Sequence, residues 1–538
     1  MSPLPIGIQS IHKILQQGYL YVDKTQFAYN LIHSGTPHYF LSRPRRFGKS
    51  LFLSTLAAIL QGEKDLFAGC AIAQSNYDWK RYPTILLDFY ALDTRNAMAF
   101  EASAKRHLKS RAQRQGVTIE TPTAAEGLES LVLQTFYKNN QTPVVVLIDE
   151  YDKPIIHNLC KPEEVEPLRE LLSDFFGILK SLDHYLKFTF ITGVSKFSKV
   201  SLFSGPNNLK DITMHPRYAA ITGYTEQELT QVFDEYIQDI AQNRGMTKGE
   251  VLTEIKRWYN GYRFSEEEIY VYNPFSTLNF MDERQPQSYW YSSGTPSFLI
   301  KQLQKHPETL VPLTGATARK SELTDISGLE TLDLKALMFQ TGYLTITGYH
   351  ERAQQYTLSF PNQEVQEAFM DSLVSHFAPH NTRIRNACYE ALVQCEPTAF
   401  FAQVQTDIAA FPNLFFSRAQ ESTYHMVLLG LMRGMGLTVT AEVLTHLGRL
   451  DLVVDMPHII YILELKLDKS PQEALDQMQQ KHYCQPYLRQ DKQVGLLGVQ
   501  FSSQVRNLTG WLGMLLDAEG NLIRYLQPSP TDISKKHI

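Results

Sequence analysis

The first residues that could do chemistry are the run Gly48-Lys49-Ser50 and, further along the chain, the pair Asp149-Glu150. Gly-Lys-Ser ends the phosphate-binding pattern G-x-x-x-x-G-K-[ST], in which the lysine reaches the β- and γ-phosphates and the hydroxyl binds Mg²⁺. An Asp-Glu pair supplies the other half of such a site, since the aspartate holds Mg²⁺ and the glutamate polarises the attacking water. Each motif alone is common by chance, so the predicted ATP site depends on both.

The middle of this loop departs from the usual pattern. It reads Arg43-Pro44-Arg45-Arg46-Phe47, with Arg43 in the position of the first glycine. Pro44 has no N–H to offer a phosphate, so part of the amide cradle is missing. The guanidinium groups of Arg43, Arg45 and Arg46 could donate to the nucleotide instead, because arginine carries five N–H donors. The alternatives are a solvated basic loop or one that docks on an acidic surface.

A second set of chemical groups lies near the other end of the chain, where Asp451 is followed by Glu464 and Lys466. Two carboxylates can hold Mg²⁺ while waters and a substrate phosphate complete its shell. A lysine beside them can orient the attacking water or offset negative charge. This D…E-x-K arrangement predicts phosphodiester hydrolysis; a surface salt bridge is the alternative for Glu464 and Lys466.

Apolar runs predict the elements that would position the first site. The predicted strands span residues 38–42, 84–89, 144–148 and 188–198. A helix is predicted over 50–62 from its apolar spacing, so the phosphate loop would lie between a strand and a helix. The run 144–148 is typical of a strand buried on both faces of a parallel sheet. Thr192 or Ser195, at the tip of the last strand, could sense the γ-phosphate.

The second site is predicted to lie on two neighbouring strands. Side chains repeat every two residues along a strand, so Glu464 and Lys466 share one face, and Asp451 joins them if its strand is adjacent. The predicted order is a helix, three strands, a helix and a closing strand, with the last five elements at residues 437–445, 450–456, 459–467, 470–483 and 494–502. Residues 363–377 and 384–411 have helical spacing and read as a linker.

Composition limits the classes of protein to which the chain could belong. The chain has 538 residues, 43% of them hydrophobic and 20% charged, an ordinary soluble globular balance. The net charge is −5, so any contact with nucleic acid is expected through a local basic patch. Five scattered cysteines favour a reducing cytoplasm without a zinc site. No signal peptide or membrane-spanning run is expected.

The front of the chain resembles the bacterial AAA-ATPase-like proteins, whose phosphate loop has this arginine-rich form. The resemblance covers about the first 350 residues and rests on the stretches YVDKT (21–25), FLSRPRRFGKSLFLSTL (40–56), LIDEYDKP (147–154), ITGVSKFSKVSLFSGPNNLKDIT (191–213), WYNGYRF (258–264), VYNPFS (271–276) and YWYSSGTPSFL (289–299). It implies an ATPase core, a helical lid and a small winged-helix-like segment. One departure is Gly205-Pro206, where a serine and a hydrophobic residue are expected.

The back resembles the PD-(D/E)XK nuclease superfamily over about residues 415 to 505. The resemblance implies that Asp451 and Glu464 are metal ligands and that Lys466 is the catalytic lysine. Gln477 matches a family glutamine that supports the active site or contacts the substrate, and Glu421 matches an acid on the preceding helix. As an auxiliary acid, Glu442 could replace Asp455.

Together these predictions give an α/β protein, a P-loop core with a lid and winged-helix-like segment followed by a restriction-endonuclease-like domain. The predicted segments are 1–220, 221–350, 351–414 and 415–538. The favoured function is an ATP-driven or ATP-gated, Mg²⁺-dependent nuclease acting on nucleic acid, DNA more than RNA. The alternative is a signalling or scaffold ATPase whose nuclease-like domain only binds nucleic acid or a partner. A role in defence or mobile-element biology, and a homo-oligomer that completes the ATP site with a neighbour's arginine, are further hypotheses.

Overall fold

The chain divides into two compact units, the first containing Met1–Thr295 with Leu313–Gln366 and the second Pro296–Pro312 with Glu367–Ile538. The computed structural model describes residues 1–159, 161–197, 209–292, 315–324, 326, 334–380, 382–416, 419–445, 448–488 and 491–527. Within those ranges, no helix is long and apolar enough to cross a membrane. The predicted division into four segments stays a prediction.

A five-stranded parallel sheet forms the centre of the first unit. Its strands are β1 (His38–Ser42), β2 (Thr84–Asp88), β3 (Val144–Asp149), β4 (Leu186–Gly193) and β5 (Leu209–Asp211). They lie in the order β2-β3-β4-β1-β5, and every neighbouring pair is parallel. Every residue of β3 is buried, as expected for a parallel strand covered on both faces. The four predicted strands are confirmed, although β4 ends at Gly193 and the predicted run 188–198 reaches beyond it.

Helices connect these strands, because parallel neighbours need a crossover. Helices α1 (Ile11–Gln16) and α2 (Thr25–His33) precede β1, and the connecting helices are α3 (Lys49–Leu60), α4 (Ala97–Gln115), α5 (Ala124–Lys138), α6 (Lys153–Asn158) and α7 (Pro162–Ser181). The side chains of Asn96 and Thr123 accept hydrogen bonds from the first turns of α4 and α5, which explains where those helices begin. Helix α3 directly follows the loop after β1, which confirms the predicted strand, loop and helix.

A group of helices follows the sheet along the chain. They are α8 (Glu226–Val232), α9 (Asp234–Arg244), α10 (Lys248–Tyr259), α11 (Pro274–Glu283) and α12 (Tyr289–Ser292). Thr225 and Thr247 form capping boxes that start α8 and α10. Lys24, in the YVDKT stretch, donates to Glu228 of α8 at 2.7 Å and is buried. This ion pair fixes the N-terminal stretch to the helices after the sheet.

The first unit also contains a small antiparallel sheet with two short helices. The elements are β6 (Ala316–Arg319), α13 (Lys320–Thr324), α14 (Leu334–Thr341), β7 (Thr345–His350) and β8 (Gln355–Ser359). The strands lie in the order β6-β8-β7. This is the region predicted to be winged-helix-like, and that finer assignment stays a prediction. Gly205-Pro206, the departure noted above, lies outside the described residues.

Helices lead into the sheet of the second unit. They are α15 (Gln363–Phe377), α16 (Thr382–Val393), α17 (Thr398–Ala410) and α18 (Glu421–Gly434). The stretch 384–411, expected to be helical throughout, is interrupted between α16 and α17. Cys395 has a φ of 56° there, which ends α16. Pro397 stands at the start of α17, and proline is tolerated at that end of a helix.

A six-stranded sheet with one helix across it makes the rest of the second unit. The elements are β9 (Val439–Thr445), β10 (Gly448–Asp455), β11 (Ile459–Leu467), α19 (Pro471–Gln480), β12 (Gln493–Ser502), β13 (Asn507–Leu516) and β14 (Leu522–Leu526). The order is β14-β13-β12-β11-β10-β9, with only the β11–β12 pair parallel among these described strands. The predicted order from α18 to β12 is confirmed. The prediction that β12 closes the fold is wrong, because β13 and β14 extend the sheet beyond it.

Candidate active sites

The phosphate loop lies between the end of β1 and the start of α3. Gly48 immediately before the helix has a φ of 87°, a left-handed conformation that glycine adopts without strain. Lys49 is buried, and its ammonium group donates to the carbonyl oxygens of Arg43 and Pro44, both at 2.9 Å. Burial lowers the pKa of Lys49, and the nearby carboxylate of Glu150 acts in the opposite direction. The loop therefore curls around its own lysine.

Asp149 links the phosphate loop to the end of β4. Ser50 Oγ donates to Asp149 Oδ2 at 2.5 Å, and Thr192 Oγ1 donates to Asp149 Oδ1 at 2.5 Å. Strand β4 lies between β1 and β3, which is why Thr192 at its end reaches Asp149. The side chain of Ser195, the alternative to Thr192, is buried and has no hydrogen-bond partner among the described residues. The structure thus brings Ser50, Asp149 and Thr192 together.

Glu150 follows Asp149 in a left-handed conformation, with a φ of 53°. Burial raises the pKa of its carboxyl group, while the ammonium of Lys49 opposes the shift. A non-glycine residue at positive φ is uncommon and is often found at functional sites. The backbone turns sharply at the residue predicted to polarise the attacking water.

Asp152 is a buried acid that the sequence predictions missed. Its Oδ2 accepts hydrogen bonds from the main-chain N–H groups of Val194 and Ser195, at 2.9 and 2.6 Å. Burial raises its pKa to about 6, although the bond from Ser195 acts in the opposite direction. Asp152 therefore fixes the end of β4 against the segment after β3.

Asp88, at the end of β2, is a second acid that the sequence predictions missed. It lies in register with Asp149 on the neighbouring strand. Its Oδ1 accepts a hydrogen bond from the N–H of Tyr90 at 2.8 Å, and burial raises its pKa. A strand-end acid without a motif around it gave no signal in the sequence.

The three loop arginines lie in different surroundings. Arg43 is only 1% exposed, and its guanidinium group donates to the carbonyl oxygens of Ser42, Thr213 and Tyr218. Arg45 and Arg46 are exposed, and the Arg46 guanidinium lies 4.1 Å from the centre of the Phe275 ring. The described hydrogen bonds of Arg43 all go to main-chain carbonyls of the protein interior, as expected if one of the three arginines faces the rest of the protein. That any of the three contacts a phosphate stays a prediction.

The second site forms where β10 and β11 pair. Their register places Leu452 opposite Leu463, so Asp451 lies beside the Glu464 end of β11. Asp451 Oδ2 accepts a hydrogen bond from Leu465 N at 2.8 Å, and Lys466 Nζ donates to Glu464 Oε1 at 2.9 Å. The two predicted ligands and the predicted lysine therefore converge where the interior strands β10 and β11 pair.

Burial and their mutual contact shift the pKa values of Glu464 and Lys466. Glu464 is 3% exposed, and burial, followed by the charge of Asp451, raises its pKa to about 7. Burial alone lowers the pKa of Lys466, but its hydrogen bond to Glu464 reverses this and the net pKa is raised. A nearby cation would therefore stabilise the ionised form of the Glu464 carboxylate.

Residues from both flanking helices reach the same place. Gln477 of α19 donates from its amide to Glu464 Oε1. Glu421 of α18 accepts from Leu467 N at 2.9 Å. His425, one turn further along α18, contacts the Asp451 carbonyl oxygen through Nε2 at 2.9 Å. In the sequence His425 carries no functional signal, because a histidine four residues after an acid stands out only once the helix is seen to cross the strands.

The donor set fits a hard divalent cation. Glu464 Oε2 is buried with no hydrogen-bond partner among the described residues, which leaves it available to a metal ion. No group of three or more metal-ligating side chains occurs in the described part of the chain. Mg²⁺ commonly needs only one or two carboxylates. Asp455 is instead paired with Lys492 at 2.6 Å, and the side chain of Glu442 lies outside the described residues.

Comparison with known proteins agrees with both halves. A family model described as Predicted AAA-ATPase matches residues 5–203, and one for the PD-(D/E)XK nuclease superfamily matches residues 419–511. The chain is 36% identical over 525 residues to an uncharacterized protein in the vnfD 5′ region of Azotobacter chroococcum mcd 1, covering 95% of this chain and 98% of the relative.

One solved structure, the Aeropyrum pernix ORC2 protein in ADPNP–ADP complexes, is similar at 12% identity. It covers 65% of this chain and 93% of its own, but its TM-score of 0.26 is too low to support an argument. The parallel sheet, its phosphate loop and the separate mixed sheet define a P-loop protein with a nuclease-like domain. The chain belongs to the AAA-ATPase-like family and carries a C-terminal PD-(D/E)XK nuclease superfamily domain.

Proposed function

We propose that the chain binds and hydrolyses ATP at its phosphate loop and cleaves nucleic-acid phosphodiester bonds at a second, Mg²⁺-dependent site. The strongest support is that Glu464 is held against Lys466 and Gln477 on the strand beside Asp451. A surface salt bridge would leave Glu464 exposed, whereas its carboxylate is buried with one oxygen unpartnered among the described residues.

At the first site, each group has a role that follows from its position. When ATP binds, the Lys49 ammonium donates to phosphate oxygens in place of the two loop carbonyls. Glu150 accepts a proton from the attacking water. Ser50 and Asp149 would hold Mg²⁺, which, when bound, offsets phosphate charge. Thr192 keeps Asp149 oriented. Arg45 and Arg46 can meet the phosphates as exposed cations.

At the second site, Asp451 and Glu464 would hold a divalent ion, which, when bound, activates water and stabilises the charge on phosphorus. Lys466 keeps a positive charge beside the reacting phosphate because its pKa is raised. Gln477 fixes the orientation of Glu464 through its amide group. His425 holds the main chain of Asp451.

We further propose that ATP hydrolysis controls the second site, that DNA is the preferred substrate, and that a homo-oligomer completes the ATP site. The combination of an ATPase and a nuclease-like domain in one chain supports this coupling, and by analogy alone a role in defence or mobile-element biology.

The test uses the purified full chain. ATP turnover is measured together with cleavage of single- and double-stranded DNA and RNA, with and without ATP, and with Mg²⁺, Mn²⁺ or EDTA. Lys49→Ala is expected to abolish ATP turnover, and Asp451→Ala to abolish cleavage. Asp455→Ala is the matched control on the same strand, because Asp455 is exposed and paired with Lys492; it is expected to leave cleavage unchanged.

The outcomes separate the possibilities. A wild-type chain that neither binds ATP nor cuts any substrate contradicts the proposal. Binding of DNA in EDTA with no cleavage on adding Mg²⁺ or Mn²⁺ supports the alternative, a scaffold ATPase with a nuclease-like binding domain.

A further inference from the structure

The head of the phosphate loop contacts residues that come much later in the first unit. Pro44 lies against Gly342, where an added Cβ would come within 2.7 Å of Pro44 Cγ. The Phe47 ring lies edge-on to the rings of Tyr262 and Phe264, with centroids 4.7 and 5.7 Å away. The loop is therefore held by side-chain packing where glycines would have left it free.

Trp290 makes the most specific of these contacts. Its indole Nε1–H donates to the carbonyl oxygen of Arg45 at 3.0 Å. The residue is 5% exposed, its ring packs 5.3 Å from that of Tyr343, and its main-chain N–H donates to Glu364 Oε1 at 2.6 Å. Tyr343 and Glu364 therefore hold Trp290 in place, and its indole binds the main chain of the loop.

The hydrogen bond to the Arg45 carbonyl also sets the direction of the Arg46 N–H. In a planar trans peptide the C=O of Arg45 and the N–H of Arg46 point in opposite directions. The φ of Arg46 is 62°, in the left-handed region that non-glycine residues rarely adopt. Among the described residues, the Arg46 N–H makes no hydrogen bond that would compete with an anion. The contact from Trp290 therefore stabilises a peptide orientation that this sequence would not otherwise favour.

We propose that Trp290 is a positioning residue of the nucleotide site, whose indole N–H holds the Arg45 carbonyl and so aims the Arg46 N–H as a donor to the bound phosphates. The inference rests on the proposed function, since it takes ATP as the ligand of the loop. It explains how a loop without its first glycine still offers an oriented amide: a distant tryptophan imposes the orientation.

The test compares two identical substitutions in the full chain. Trp290→Phe removes the indole donor and keeps an aromatic ring. Trp258→Phe is the matched control, because Trp258 is also buried in the first unit but its Nε1 has no partner among the described residues. Affinity for a fluorescent Mg-ATP analogue is measured for each. Trp290→Phe is expected to lose about fivefold, the effect of one hydrogen bond, and Trp258→Phe to bind as the wild type.

A double-mutant cycle distinguishes positioning from general support of the fold. Arg46→Gly allows positive φ without strain, so the loop needs Trp290 less. In that background Trp290→Phe is expected to cost less than twofold. If Trp290→Phe costs the same in both backgrounds, or binds as tightly as Trp258→Phe, the inference is wrong while the proposed ATP site stands. If the wild type binds no nucleotide, the proposed function fails and this inference fails with it.

Discussion

Asp149 accepts a hydroxyl hydrogen bond on each of its two carboxylate oxygens, one of them from Thr192, and this favours Thr192 over Ser195 as the candidate sensor. Thr192→Val removes one of these bonds with little change in side-chain shape. We expect ATP turnover to fall by roughly tenfold, since a misoriented Asp149 holds the metal–nucleotide complex less well. Steady-state phosphate release measures it.

Ser195→Ala is the matched control for Thr192→Val. The Ser195 hydroxyl is buried without a partner among the described residues, so its removal should leave turnover within about twofold of the wild type. A larger loss in Ser195→Ala than in Thr192→Val would reverse the assignment.

We expect Glu364 to make the stability of the first unit depend on pH. Burial raises its pKa from 4.5 to about 7, despite the hydrogen bond from Trp290. Between those values the folded chain retains a proton that the unfolded chain releases, so stability falls as pH rises through the window from about 4.5 to 7. A shift of this size corresponds to about 3 kcal/mol at most.

The measurement is urea unfolding of wild type and Glu364→Gln at several pH values from 5 to 8. We expect the variant to gain in stability relative to wild type as the pH rises, because glutamine has no proton to release. Glu267→Gln, at an exposed position, should show no such trend. A pH-independent difference between Glu364→Gln and wild type would exclude Glu364 as the titrating group.

At the residue level, local motifs were predictable and tertiary partners were not. Sequence alone is enough to recognise the site residues Gly48, Lys49, Ser50 and Asp149, because they belong to short motifs. Trp290 touches the loop from 245 positions away in sequence, and no spacing rule connects them. Two carbonyl partners of Arg43, those of Thr213 and Tyr218, are almost as distant in sequence, so its interior position also gave no signal.

At the level of elements, the site on β11 depends on how closely α19 lies against β12. An alanine Cβ at Gly498 would collide with the carbonyl of Pro471 and lie 3.0 Å from the Cβ of Ala474. Gly498→Ala should therefore push α19, with Gln477, away from Glu464. We expect a loss of about 1–3 kcal/mol in unfolding free energy and a loss of cleavage.

Gly510→Ala is the control for this substitution. The nearest atom there is Gln500 Oε1 at 3.2 Å, the end of a flexible side chain that can move aside. Chemical denaturation and the cleavage assay report on both variants. Equal effects at the two glycines would mean that the spacing between α19 and β12 does not matter.

Most elements could be predicted because buried strands and amphipathic helices leave periodic patterns. The apolar run of β3 and the alternation around β11 are examples. Strands β13 and β14 were missed. For β14 the reason is that four of its five residues are exposed and an edge strand needs no apolar face. The break before α17 was missed although Pro397 marks it, since a proline inside a helical pattern commonly ends the preceding helix.

For the whole molecule, each compact unit has a hydrophobic core of its own, one around Leu56 and Leu147 and another around Ile462 and Leu475. A nucleotide that binds only the folded first unit should stabilise that unit. At a hundred times its dissociation constant the gain is about 2.7 kcal/mol.

Calorimetry of the full chain with a non-hydrolysable Mg-ATP analogue checks this prediction. We expect the transition of the first unit to rise in temperature and the rise to vanish in Lys49→Ala. A shift of equal size in Lys49→Ala would mean that the analogue binds elsewhere.

The hydrogen bond from Ser50 to Asp149 also bears on whether Mg²⁺ binds before the nucleotide or together with it. While it exists, the hydroxyl and one carboxylate oxygen are engaged with each other, so a bare Mg²⁺ ion meets ligands that are already occupied. An ion that arrives with the nucleotide brings phosphate oxygens and needs only one or two ligands from the protein. We therefore expect uptake of the preformed metal–nucleotide complex, so that a change in free Mg²⁺ alone leaves the loop as it is.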